Sequence, residues 1–85
     1  MKHVHKFALL GHRATAIEGG IRALTVQMQG DVPTAWVERD VTSENVLVIW
    51  PVMTGGEPPS DGRYVSTIVG LLGWRVAHFY ARGEI

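Results

Sequence analysis

The chain has 85 residues, no cysteine, and equal numbers of basic (8) and acidic (8) side chains. That composition fits one domain, residues 1–85, and excludes disulfides, a thiolate zinc site and the positive field of a general nucleic-acid binder. A chain this short buries only about 60–65% of the surface its unfolded form exposes, so close packing and self-association are the remaining sources of stability.

The first segment, "KHVHKFALL", places Val4, Phe7 and Leu9 in a mixed pattern that suits an edge strand. Its "FALL" is too short for a secretory apolar region, and no small-residue cleavage site follows. The longest apolar run, Val46 to Met53, contains a proline and is too short to cross a bilayer. A cytoplasmic protein without a membrane partner is therefore expected.

The second segment, "RATAIEGGIRAL", carries Ala14, Ile17, Ile21 and Leu24 at helical spacing, but Gly19-Gly20 interrupts it. Each glycine costs a helix about 1 kcal/mol relative to alanine. A short strand over "ATAIE" followed by a glycine turn is the favoured reading, with a helix over Thr15 to Leu24 as the alternative. In "LTVQMQGDVPTAWVERD", Leu24, Val26 and Met28 alternate with Thr25, Gln27 and Gln29, the period of a half-buried strand. "GDVP" supplies a turn, and "TAWVERDV" returns as the second arm of a hairpin. "ENVLVIWPV" is apolar on both faces, as expected of a strand covered by the core on one side and by a second subunit on the other. Its Pro51 belongs near the end, where no ladder donor is needed. "TGGEPPSDG" is a loop of turn formers. "RYVSTIVGLLG" and "WRVAHFYAR" form a last strand pair around Gly70 to Gly73. Six or seven short strands favour an all-β domain, a small β-sandwich or open barrel. Its expected core is Leu24, Val26, Met28, Val46, Val48 and Ile68.

Few residues carry obvious chemistry. His3 and His5 share one face of an extended strand and could share a metal, with His12 or His78 as a third ligand. No closed ligand set can be named, so no metal and no cofactor are expected. On the last strand Trp74, Val76, His78 and Tyr80 share a face. A hydrogen-bonded core or interface histidine is the plainer account of His78, because no serine or carboxylate is placed beside it. "TGGEPPSDG" lacks the lysine of a phosphate-binding loop and precedes no helix. Glu57, Asp61 and Arg63 stay as loop candidates because loops carry binding function disproportionately. Trp36 runs opposite in phase to Ala35, Val37 and Val41, which suits an interface as well as a core position. Trp50 is expected to fill the core.

The order "HKFALL", "LTVQMQGDVPTAWVERD", "PPSDGRYVSTIVG" and a terminal "AHFY" resembles an uncharacterised family of small proteins from tailed bacteriophages and prophages. "VQMQGDVPTAWV" carries most of the likeness, and "GRYVSTIV" looks like the family's glycine–aromatic–aliphatic–x–threonine segment. The sequence departs from the pattern at Ala8, where proline is usual, and at "GLLGWRV". The resemblance implies phage origin, expression in the host cell and an accessory role. It brings no activity and no functional residues.

The leading expectation is thus a non-enzymatic binding protein acting in the host cytoplasm, in host takeover or counter-defence. It would self-associate as a homodimer through Trp36 or one face of Val46 to Val52. A host protein or small molecule is the expected partner, and nucleic acid is not. The second expectation is a sponge for a nucleotide or other small molecule, with Arg63, Arg75 and Arg82 lining a pocket between subunits. A minor virion component is the third, and a metal-dependent enzyme built on the histidines the fourth.

Overall fold

A computed structural model describes residues 1–9, 12–70 and 76–85. Among them are seven strands and no helix: β1 (His3–Ala8), β2 (Thr15–Glu18), β3 (Gly20–Gln29), β4 (Val32–Arg39), β5 (Val46–Met53), β6 (Arg63–Val69) and β7 (Val76–Arg82). They form two open antiparallel sheets. One has the order β1-β4-β3 and the other β2-β5-β7-β6, so the domain is a small sandwich and not a closed barrel. The segment with helical spacing forms β2 and the start of β3, as the paired glycines favour. None of the described residues lies in a helix long and apolar enough to cross a membrane.

Two glycines set the local path. Gly30 and Asp31 are the loop of the β3–β4 hairpin, closed by the Gln29–Val32 pair. Gly30 has φ of +62°, the positive angle that a II′ hairpin turn needs at its first central residue. Gly19, at φ +76°, is the single residue between β2 in one sheet and β3 in the other. Its N–H donates to the Asn45 carbonyl (2.7 Å), and its carbonyl accepts from the Asp40 N–H (2.9 Å). A Cβ there would fall 2.5 Å from the Asp40 carbonyl oxygen. Pro51 sits two residues beyond Ile49, the last β5 residue paired with β2, so it has no ladder to interrupt on that side.

The core lies between the sheets. It contains Ile17, Ala23, Val26, Ala35, Val37, Leu47, Ile49, Ile68, Ala77, Phe79 and Ala81, with Leu9 at one end. Val26 and Ile68 are buried as expected. Leu24, Met28 and Val46 are not: they are 46%, 38% and 45% exposed. Two register shifts in β3, between Gly20 and Arg22 and between Ala23 and Thr25, explain Leu24. The second shift makes Leu24 an extra residue and lets Ala23 and Val26, three apart, both point inward. Met28 keeps the phase of Val26 but lies next to the hairpin end, where less packs over it. In β5 the inward set is Leu47 and Ile49, which leaves Val46, half-buried Val48 and half-buried Trp50 on the outer face. Trp50 is therefore not a core residue.

Side chains tie the two sheets together along both flanks. On one flank Ser66 Oγ accepts the Val26 N–H (2.9 Å). Arg63 Nη2 donates to the Ala23 carbonyl (2.7 Å), and Glu84 Oε2 accepts the Ala23 N–H (3.0 Å). The edge of β3 thus has its backbone groups satisfied by side chains instead of by another strand. On the other flank Arg39 Nε donates to the Glu18 carbonyl (2.7 Å), and its guanidinium lies 5.6 Å from the centre of the Phe7 ring. Asn45 Nδ2 donates to the Gly20 and Gly83 carbonyls, both at 2.7 Å, which fixes the end of β7 beside β3.

Candidate functional site

The four-stranded sheet presents its outer face without a covering layer from β1, β3 or β4. Because Ala77, Phe79 and Ala81 point inward, Val76, His78, Tyr80 and Arg82 point outward. The registers carry this face across the neighbouring strands. Trp50 is opposite Tyr80, and Tyr80 is opposite Tyr64, so three aromatic side chains form one row across β5, β7 and β6. The Tyr64 and Tyr80 rings meet edge to face, centroids 5.8 Å apart. Val46 and Val48 continue the face on one side, and Val69 and Val76 on the other.

A polar chain runs through this apolar surface. The Tyr64 and Thr67 hydroxyls are 2.6 Å apart. Thr67 Oγ1 is 3.0 Å from His78 Nδ1, and Thr54 Oγ1 is 3.0 Å from His78 Nε2. A bulge at Val65 makes this possible. It shifts the register between Tyr64 and Ser66 and puts Tyr64 and Thr67, three residues apart, on the same face. The imidazole has both nitrogens occupied by hydroxyls.

The loop of residues 54–62 borders this face. Gly56 packs closely on Val52, and Gly62 lies close to Pro59 and the Tyr80 side chain. Arg82 Nε lies 3.1 Å from the Asp61 carboxylate, so the pair leaves this corner of the face with no net charge.

The residues singled out in the sequence do not converge. Trp36 points away from buried Ala35 and Val37 and lies half-buried on the outer face of the other sheet, opposite Lys6 and Thr25. Arg63 faces inward. Its Nε donates to Glu84 Oε1 (2.7 Å), and its Nη2 donates to Glu84 Oε2 (2.8 Å) and the Ala23 carbonyl. It is a structural pin and not a free cation. The Arg63 hydrogen bonds hold the Glu84 carboxyl below the usual carboxylate range; the Ala23 N–H and the Arg63 and Arg22 charges help, and burial opposes them. Arg82 is on the aromatic face, paired with Asp61. Arg75 and Trp74 lie outside the described residues. Glu57 is exposed in the loop.

His3 and His5 stand side by side on β1 with parallel rings, 6.2 Å between centroids. Among the described residues no group of three or more histidine, aspartate or glutamate side chains is placed to hold a metal ion. The alternation of the last strand puts Trp74, Val76, His78 and Tyr80 on one face; the last three share it, and Trp74 lies outside the described residues. The sequence does not show that Tyr64 and Trp50 join this face, because that requires the strand order β5-β7-β6.

No curated protein and no solved structure matches the chain. One family profile does, described as a domain of unknown function (DUF7352), and it matches residues 1–84. With the match covering nearly its whole length, the chain belongs to the DUF7352 family.

Proposed function

We propose that this chain is a small non-enzymatic binding protein that works as a homodimer through the outer face of the four-stranded sheet. The observation that carries the reading is the row Trp50–Tyr80–Tyr64, flanked by Val46, Val48, Val69 and Val76. Aromatic side chains dominate interface energetics, and contiguous apolar faces on small domains mark contact surfaces. At ordinary strand spacing and rise the face covers about 450 Å² in plan. Side-chain relief and the 54–62 loop extend it toward the roughly 1,000 Å² total that a stable interface needs. Arg82, the described charge on the outer face of β5 and β7, is paired with Asp61 of the 54–62 loop, so that corner carries no net charge; Glu18 beside Val46 and Glu57 in the loop are exposed at the margin. A thin core in an 85-residue chain supplies the motive for association.

The setting we propose is a phage-encoded accessory protein acting in the host cytoplasm, in host takeover or counter-defence. It rests on the resemblance of "VQMQGDVPTAWV" and "GRYVSTIV" to small phage and prophage proteins. The nucleotide-sponge alternative is disfavoured by the engagement of Arg63 with Glu84 and of Arg82 with Asp61. Light scattering at about 50 μM tests the dimer. The wild type should give twice the monomer mass, and Val48→Lys, which places a charge on the outer face, should give the monomer mass with an unchanged far-ultraviolet spectrum. A monomeric wild type would overturn the reading.

A further inference from the structure

We propose that His78 makes self-association responsive to pH, with the dimer held when the imidazole is neutral and released when it is protonated; this rests on the dimer reading above. The geometry carries the idea. His78 lies one register step from the centre of the Trp50–Tyr80–Tyr64 row, opposite Val52 on β5 and Thr67 on β6. Around it β6 contributes Tyr64 and Thr67, β7 contributes Tyr80 and Arg82 with Asp61 paired to it, β5 contributes Trp50 and Val52, and the 54–62 loop contributes Thr54; Glu57 is exposed in the same loop. The Asp61 carboxylate is engaged by Arg82, and the hydrogen-bond partners of both ring nitrogens are threonine hydroxyls. Among the described residues no carboxylate is bonded to this ring.

In the monomer both protonation states are satisfied. A threonine hydroxyl donates or accepts by rotating, so Thr54 and Thr67 serve the neutral ring and also accept both N–H groups of the imidazolium. Protonation therefore does not break the fold locally. In the dimer the same charge lies under a second apolar face, stripped of water, with an identical charge on the partner. Desolvation and like-charge repulsion both oppose it. Histidine is the side chain that ordinarily changes charge between about pH 5 and 8. The sign follows: a proton on the ring is accommodated better by the monomer than by the dimer, so association weakens as pH falls.

Sedimentation equilibrium at pH 8.0 and 5.5, at constant ionic strength, tests this. The dissociation constant should rise at least about tenfold at pH 5.5, since two charges must be accommodated. The far-ultraviolet spectrum should not change. His78→Gln, whatever its affinity, should give one dissociation constant at both pH values. The triple variant His3→Gln/His5→Gln/His12→Gln should keep the full pH effect. Equal constants in the wild type at both pH values would overturn the pH device and leave the dimer standing. So would loss of the effect in the triple variant, or loss of strand signal at pH 5.5. A monomer at both pH values would remove the dimer reading and this inference with it.

Discussion

Replacing Glu84 by alanine probes how the exposed edge of β3 is held. Glu84 accepts the Ala23 N–H at 3.0 Å and two hydrogen bonds from Arg63 at 2.7 and 2.8 Å. Ala23 is 1% exposed, so its N–H has no water to turn to when the carboxylate is removed. An orphaned buried donor costs about 1–2 kcal/mol. The ion pair adds about 1 kcal/mol at most, because the Arg63 side chain is 44% exposed and solvent screens it. The total is about 1–3 kcal/mol. For a domain of this size that lowers the melting temperature by roughly 5–20 °C. Glu84→Gln keeps an acceptor for Ala23 and loses only the charge, so it should lose about 1 kcal/mol. The wild type should also show the linkage. The folded carboxyl titrates below its ordinary range, so its contribution is complete above the unfolded value and is lost as pH falls through the folded one. The glutamine variant should lack that part of the acid sensitivity. Thermal melts followed by circular dichroism at pH 7 and at pH 3–4 measure all of this. An alanine variant that melts with the wild type at pH 7 would refute the claim that side chains satisfy this strand edge.

Further outcomes follow from the same contacts. Phe79→Ala removes the largest fully buried side chain and should cost about 3–5 kcal/mol, a large share of the stability of a small domain, seen as a fall in the urea midpoint. Ser66→Ala should cost about 1–2 kcal/mol by orphaning the Val26 N–H, and Ser66→Thr, which keeps the hydroxyl, should cost less. Gly19→Ala should cost at least about 1–3 kcal/mol, through strain at φ +76° and the clash with the Asp40 carbonyl. Trp36→Ser should leave the solution mass unchanged, since Trp36 is on the sheet face opposite to the proposed contact.

The sequence alone determined the class, a count of six or seven strands and the β3–β4 hairpin, whereas the turn expected around Gly70 to Gly73 lies largely outside the described residues. Period-two alternation, the interrupting Gly19-Gly20 pair and the Gly30-Asp31 turn are local signals, and local sterics are enough to read them. It also put Val76, His78 and Tyr80 on one face, because that strand has no bulge to break the phase. What it could not decide was which phase points inward wherever both phases are apolar or a bulge resets them. In β5, Val46–Val48–Trp50 and Leu47–Ile49 look equally suited to a core. The choice was made by Phe79 and Ala81 on β7, which pack on the inner side. In β3 and β6 single extra residues, Leu24 and Val65, reversed the alternation. The candidate site depended on tertiary structure most of all. Trp50, Tyr64 and His78 are far apart in the chain and meet only because β7 lies between β5 and β6. Arg63, which reads in the sequence as a free loop cation, is spent on Glu84 and the Ala23 carbonyl, because folding brings the C-terminal residues against the edge of β3.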